Sequence, residues 1–268
     1  MNNILLVVLY RQTVDTSETI KSFCKSCSKY HEKISLVIWD NSPNNENNFD
    51  NLNNLRIEYK YNHTPENIAL SSIYNTVISN ANTNQIIHIF DQDTIIDNTY
   101  FDLIYEAVNT KPSRSLFVPY ILYYGKLMSP GVYKYYKGGY SNKLKLGQVS
   151  SLNTICIASG MTVRASVYKN IQFDENLSFY GIDTKFALDY SKYYEYLFVI
   201  NYSLSHNLSQ FEIEPYEVKH KRFRSFVRSS RYIALNHSGI MAYLICCAVT
   251  FLKSIMFKFK FTRNYVTK

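Results

Sequence analysis

The run Ile86-Ile87-His88-Ile89-Phe90-Asp91-Gln92-Asp93-Thr94-Ile95-Ile96 constrains this chain more than any other stretch. Its first half is apolar and β-branched, the pattern of a strand buried on both faces. Its second half carries two carboxylates one residue apart. In an extended segment residues i and i+2 lie on one side, so the sequence expects Asp91 and Asp93 to point together. Two neighbouring carboxylates repel each other and lose hydration unless a positive group joins them. A hard divalent cation, Mg²⁺ or Mn²⁺, backed by a substrate phosphate suits that pair. The same letters also describe a solvated acidic turn.

Further strands flank this one. Ile4–Tyr10 and Ile34–Trp39 read as buried strands, and Leu55–Tyr61 as a shorter third. Thr16–Ser28 reads as a helix capped by Asp15 or Thr16, and Asn44–Asn54 as an Asn-rich loop. A second helix is expected to open near Ala69 and run to Asn80, its small residues leaving the first backbone N–H groups open to a phosphate or sugar. Strand, helix, strand, strand, helix, strand is a Rossmann-like α/β half, and ligands on such sheets bind beyond the carboxyl ends of the strands. Asp40 ends the second strand and Asp91 the last.

The second half is less regular. A helix is expected over Asn98–Val108 and a strand over Ser115–Tyr124. Gly125–Gly147 is a Tyr/Lys/Gly-rich loop or hairpin whose Tyr133, Tyr135, Tyr136 and Tyr140 suit either stacking on a sugar or surface packing. A helix is expected over Arg164–Asn170, another opening near Asp183, and a strand over Leu197–Tyr202 with His206 just beyond it. Cys24 and Cys27 form an isolated C-x-x-C without a second pair, which reads as two half-buried thiols on one helix face. Five cysteines do not make a disulfide framework. Met1-Asn2-Asn3 lacks the basic start of a secretory signal, and a reducing, cytoplasmic setting is expected.

Charge is unevenly placed. Val218 to Lys268 holds 11 Lys/Arg and no Asp/Glu, leaving 18 basic against 21 acidic residues before it, so the formal +8 belongs to the tail. Such a block needs an anionic partner. No nucleic-acid-binding motif accompanies it, and nucleic acid is not expected. Ile240–Leu252 is uncharged but only 13 residues long, short of the ~20 needed to cross a bilayer. The expectation is a helix lying in the interface of an anionic membrane. A core helix, or pairing of subunits in a homo-oligomer, are the other uses of such a segment. Two regions are expected: residues 1–217 as the α/β domain and 218–268 as a basic, apolar helical extension.

Four stretches recur in order: the Asp40 strand end, the Asn67…Asn75 helix, Asp91-Gln92-Asp93-Thr94, and Ser159-Gly160…Phe173-Asp174-Glu175…Ile182-Asp183. From Ile4 to His206 this set resembles family 2 glycosyltransferases of GT-A-type fold, in particular the rhamnosyltransferase-like branch of bacterial surface-polysaccharide synthesis, which carries D-Q-D-S or D-Q-D-T. The resemblance implies a GT-A-type, Rossmann-like nucleotide-sugar-binding sheet flanked by helices. It implies inverting, metal-dependent transfer from dTDP-rhamnose or a UDP-hexose to a polyprenyl-diphosphate-linked glycan, in O-antigen- or capsule-type synthesis, by a protein peripheral at the inner face of the bacterial cell membrane. Asp183 matches the catalytic base; by itself it also reads as a helix N-cap. Tyr10, Asp40, Asn67, Asp91, Gln92 and Arg231 match nucleotide-sugar-binding positions. Asp91, Asp93 and His206 match the metal-binding set, although His206 alone reads as a structural histidine.

The chain departs from the pattern at Ala69, where the family has glycine, and at Lys185 and Tyr180, where acidic residues are common. The rival expectation is a catalytically weak nucleotide- or glycan-binding subunit of the same fold. A nucleotidyltransferase would want a Gly-rich basic turn after the first strand, and Arg11-Gln12-Thr13 is not one.

Overall fold

The apolar runs near the N-terminus form adjacent parallel strands. In the computed structural model, which describes residues 2–44, 46–140, 145–205 and 215–266 and side chains as far as 257, β1 is Asn3–Leu9, β2 Ile34–Asp40, β3 Tyr59–His63 and β4 Ile86–Asp91. β1 pairs in parallel with both β2 and β4, and β2 with β3. Helices α1 (Glu18–Ser26), α2 (Asp50–Asn54) and α3 (Leu70–Ser79) make the crossovers. Leu5, Leu6, Val7, Leu36, Ile38, Ile87 and Ile89 lose nearly all contact with water. Each such side chain contributes about 1.5–3 kcal/mol.

After α4 (Asn98–Thr110) come β5 (Leu116–Tyr123), β6 (Lys126–Ser129), β7 (Gly131–Lys134), β8 (Lys137–Tyr140), β9 (Gly147–Ser150), β10 (Thr154–Ile155) and β11 (Met161–Arg164). Then follow α5 (Ile182–Tyr190), β12 (Tyr196–Ser205), α6 (Tyr216–Ile233) and α7 (Ile240–Val266). The main sheet runs β3-β2-β1-β4-β11-β5-β12-β9, with β6 beside β5. It is mostly parallel. β11 is the exception at its centre, antiparallel to β4 and β5. A small second sheet orders as β10-β7-β8. Apolar cores fill both faces of the main sheet.

Several local expectations shift. Ser17, not Asp15 or Thr16, caps α1: its hydroxyl accepts from Ile20 N and donates to Gln92 O, tying the helix to the acidic turn. The Asn-rich loop contains the short helix α2, and β3 starts at Tyr59 because Leu55 ends that helix and is exposed. The helix expected over Arg164–Asn170 is the strand β11 followed by a 3₁₀ turn, Ala165–Lys169. The long Tyr/Lys/Gly stretch supplies β6 and the β7–β8 hairpin. α7 is 27 residues long. Lys253 does not interrupt it, and Ile240–Phe257 has a mean hydropathy of 2.0. The thirteen-residue limit therefore fails. α7 is the one described helix long and apolar enough to cross a membrane.

Candidate functional site

β4 ends at Asp91, and the chain then turns. Asp93 thus lies in a turn beyond the strand, and it is this turn, not strand alternation as the sequence suggested, that brings both carboxylates to one cleft. The turn is held on several sides. Gln92 accepts from Tyr10 N at 2.7 Å and donates back to Tyr10 O at 3.3 Å. Thr19 N donates to Gln92 O at 3.2 Å, and the Thr19 hydroxyl donates to Asp91 O and accepts from Thr94 N at 2.9 Å. Ser159 Oγ accepts from Asp91 N at 3.2 Å and lies 2.8 Å from Thr94 Oγ1. Gly160 fixes Ser159: its φ is +81°, and a Cβ would stand 2.6 Å from Leu204 Cδ1 and 2.8 Å from Pro119 Cγ.

Above this turn opens a cleft of about 700 Å³. Its floor holds Tyr10, Asp91, Gln92 and Asp93 from the strand ends, with Tyr74 from α3. Asp183 enters from α5. The N-cap of α5 is Gly181, at φ +77°, so Asp183 is the second residue of the helix rather than its cap. Its Oδ1 accepts from Thr184 N at 2.7 Å. Desolvation raises the Asp183 carboxyl above its ordinary range, against the pull of N–H groups at Thr184, Ala158 and its own backbone. Tyr74 is raised too, first by burial and then by the charges of Asp91 and Asp183. One side chain feels both carboxylates, which places the strand-end turn and the α5 terminus in one electrostatic environment.

Asn75 aims α5. Its amide exchanges two hydrogen bonds with the backbone of Phe173, both at 2.9 Å, and donates to Glu175. Leu70 N donates to Ser178 O, so the first turn of α3 packs on the Phe173–Ser178 turn and does not open to a phosphate as expected. Lys185, where the family resemblance suggests an acid, is buried. It is ion-paired with Asp189 and, at 3.8 Å, with Asp174.

The other wall comes from the C-terminal helices. Arg222, Phe226, Ser229, Ser230 and Ile233 of α6 and Lys253 of α7 line the cleft. Arg231 does not: its Nε donates to Thr250 Oγ1 of α7 at 2.9 Å. Nine residues separate Arg222 and Arg231, about half a turn around an α-helix. Helical spacing was the signal that could have singled out Arg222. Lys253 is hidden in the sequence because a charge at the end of an apolar run reads as the end of the buried segment.

Two further expected nucleotide residues, besides Arg231, lie apart from this lining. Asp40 is buried, its oxygens accepting from Ser42 N, Asn47 Nδ2 and Tyr61 OH at 2.8–3.0 Å. Asn67 is exposed at φ +50° and accepts from Asn41 Nδ2 at 2.9 Å. Among the hairpin tyrosines, Tyr133, Tyr136 and Tyr140 reach the cleft and Tyr135 is not in its lining. His206 falls outside the described residues, as therefore does the expected third metal ligand. Among the described residues no three His, Cys, Asp or Glu side chains gather around one point. Asp91 and Asp93 still give an all-oxygen donor pair opening into a cleft, which fits a hard cation completed by phosphate oxygens.

Cys24 and Cys27 are free thiols. Burial pushes them up to about 11 and about 12, which leaves them protonated and inert. His88 is buried and 2.8 Å from Thr162 Oγ1; desolvation lowers it to about 3 and keeps it neutral.

No protein-family model and no curated protein matches this sequence. Solved structures do. Residues 1–349 of S. aureus TarS superpose with a TM-score of 0.55 at 13% identity, over 87% of this chain and 72% of that one. The UDP-GlcNAc complex of the same fragment also gives 0.55 at 13% identity, over 85% and 66%. GalNAc-T7 with UDP, GalNAc and Mn²⁺ gives 0.60 at 13% identity, over 85% of this chain and 47% of that one. The architecture is therefore a GT-A-type glycosyltransferase fold, a mixed α/β sheet flanked by helices, with the acidic turn at the end of its fourth strand.

Proposed function

We propose that this chain is a nucleotide-sugar-dependent glycosyltransferase working by inversion, with Asp183 as the base. The observation that carries the reading is the meeting of Asp183 with Asp91 and Asp93 in one cleft. Asp183 takes the proton of an acceptor hydroxyl as that oxygen forms its bond to the anomeric carbon. The bond from that carbon to the nucleoside diphosphate breaks, and the leaving group carries away the electron pair. A raised carboxyl pKa makes Asp183 a stronger base than a solvated aspartate, while the N–H groups around it hold its orientation. Arg222 and Lys253 face the developing negative charge. Tyr10 and Gln92 brace the floor on which the nucleotide lies, and Tyr136 and Tyr140 offer rings to a sugar.

Asp91 and Asp93, with His206, would hold Mg²⁺ or Mn²⁺, which when bound neutralises the diphosphate. The neighbours bound to UDP, UDP-GlcNAc and Mn²⁺ favour a UDP-sugar over dTDP-rhamnose as donor. The acceptor we propose is a lipid-linked glycan of surface-polysaccharide synthesis, met at the inner face of a bacterial membrane. Asp40 and Asn67 keep the donor-binding role only if the base reaches beyond the cleft described above, and Arg231 acts through its bond to α7.

The test is turnover of UDP-sugars by the full chain and by Asp183→Asn. Loss of on the order of 10³-fold in kcat with UDP binding kept supports the base. Equal turnover by the variant removes Asp183 from the chemistry. Nucleotide binding without turnover by either protein favours the binding-subunit reading.

A further inference from the structure

The C-terminal helices carry two features that the transfer reaction does not use. The first is an apolar face. Ile240, Met241, Leu244, Phe251, Leu252 and Met256 of α7 are each more than half exposed. The second is charge. α6 carries six Lys/Arg in 18 residues against one acid, Glu217. Lys221, Arg224 and Arg228 recur on it at three- and four-residue spacing and are exposed.

The two helices form an antiparallel pair. Arg231 meets Thr250 at 2.9 Å, and the rings of Phe223 and Phe257 stack at 4.7 Å. Ala242, Cys246 and Thr250, one turn apart, bury the inner side of α7. A lone α7 is long enough to cross a bilayer, but from Thr250 to Phe257 it is bound to a helix rich in cations. Crossing would draw those cations into hydrocarbon, which is costly. Lying in the interface satisfies both helices, with apolar side chains toward acyl chains and basic ones toward headgroups.

We infer that the α6–α7 pair is a docking surface for an anionic lipid bilayer, with α7 parallel to the membrane plane. Charge complementarity selects this occupant over a second copy: the segment from Val218 onward has no acidic residue with which to face its own cations in a symmetric contact. The same helices supply Arg222 and Lys253 to the cleft. A docked molecule thus holds one cleft wall at the lipid surface, where a lipid-linked acceptor arrives. That last link rests on the transferase reading; the docking surface does not.

Flotation of the full chain with phosphatidylcholine vesicles, alone and with a third phosphatidylglycerol, tests the inference. Binding is expected to the anionic vesicles and to weaken as salt is raised. The combined Lys221→Glu, Arg224→Glu and Arg228→Glu variant is expected to lower partitioning on the order of 100-fold. Phe251→Ser with Leu252→Ser is expected to abolish it. Both variants should keep the wild-type melting midpoint, because they touch exposed positions. Equal binding to neutral vesicles overturns the inference. So does absence of binding, whether the chain is then a monomer or a lipid-free dimer that Phe251→Ser with Leu252→Ser dissociates; the dimer assigns the face to a second copy. The shift in midpoint caused by UDP, measured on the same variants, reports separately on the transferase reading.

Discussion

The two walls of the cleft are built differently. The strand-end wall, with Asp91, Gln92 and Asp93, is tied by hydrogen bonds to Tyr10, Ser17, Thr19 and Ser159, elements far apart in sequence. The helical wall, with Arg222 and Lys253, meets the sheet domain through side chains of α6 and the turn that follows it. Ile233 packs on Gly181, Tyr232 OH donates to Asp174 Oδ2 at 2.8 Å, and His237 Nε2 lies 3.2 Å from Asn153 Oδ1. The first wall holds its carboxylates in place whatever the surroundings. The second offers cations on a pair of helices with an open apolar face. The difference teaches that affinity and chemistry can be assigned to separate walls and broken separately.

The sharpest break falls on the strand-end wall. Gly160→Val puts a branched side chain at φ +81° and into Leu204 and Pro119. A loss of about 3 kcal/mol or more is expected from strain and overpacking, read by denaturant unfolding. Next, Arg222→Ala on the helical wall should lower kcat/KM for the UDP-sugar about 10–100-fold, the range for a hydrogen bond to a charged group. Its melting midpoint should stay close to that of wild type, since Arg222 is a half-buried cation lining the cleft, outside the apolar core. A large fall in midpoint instead would make that wall structural and erase the contrast.

Acid–base behaviour separates Asp183 from its neighbours. Its carboxyl is raised in the folded state, so its contribution to stability is full below the ordinary aspartate value of about 3.9 and is lost as pH rises through the raised value. Asp183→Asn should therefore melt higher than wild type at neutral pH, with the gap closing in acid. Asp174 behaves oppositely. Burial works against its charge, but hydrogen bonds from Asn176 and Tyr232 and the charge of Lys185 hold it below the usual range. Its stabilising effect is present at neutral pH and lost as pH falls. Tyr232→Phe should cost about 1 kcal/mol, with the deficit shrinking below about pH 4. This is the smallest effect, and it loosens the helical wall alone.

The two walls were also unequally legible in the sequence. Ile4–Leu9, Ile34–Asp40 and Ile86–Asp91 declare themselves because strands buried on both faces need unbroken apolar runs, and the polar ends of such runs mark the site. The insertion of β11 between β4 and β5 is invisible, because Met161–Arg164 is four residues long and pairing order is not a local property. The family resemblance points to Arg231, whereas the cleft face of α6 is set by helical phase, which selects Arg222. Lys185 departs from the family pattern in sequence, and the ion pairs with Asp174 and Asp189 that account for it join residues of the turn before α5 and of α5 itself. The capping of α1 by Ser17 was hidden because the residue serves the acidic turn as much as the helix.

The central claim is that the strand-end carboxylates and Asp183 share one nucleotide-sugar site. The most direct measurement is the melting midpoint with UDP, Mn²⁺, both and neither, in wild type, Asp93→Ala and Asp183→Asn. A ligand present at 100 times its Kd adds about 2.7 kcal/mol to the folded state. The expected result is a rise that needs UDP and Mn²⁺ together, kept in Asp183→Asn and lost in Asp93→Ala. No rise with UDP, dTDP, GDP or CDP, and no effect of Asp93→Ala, would contradict the account.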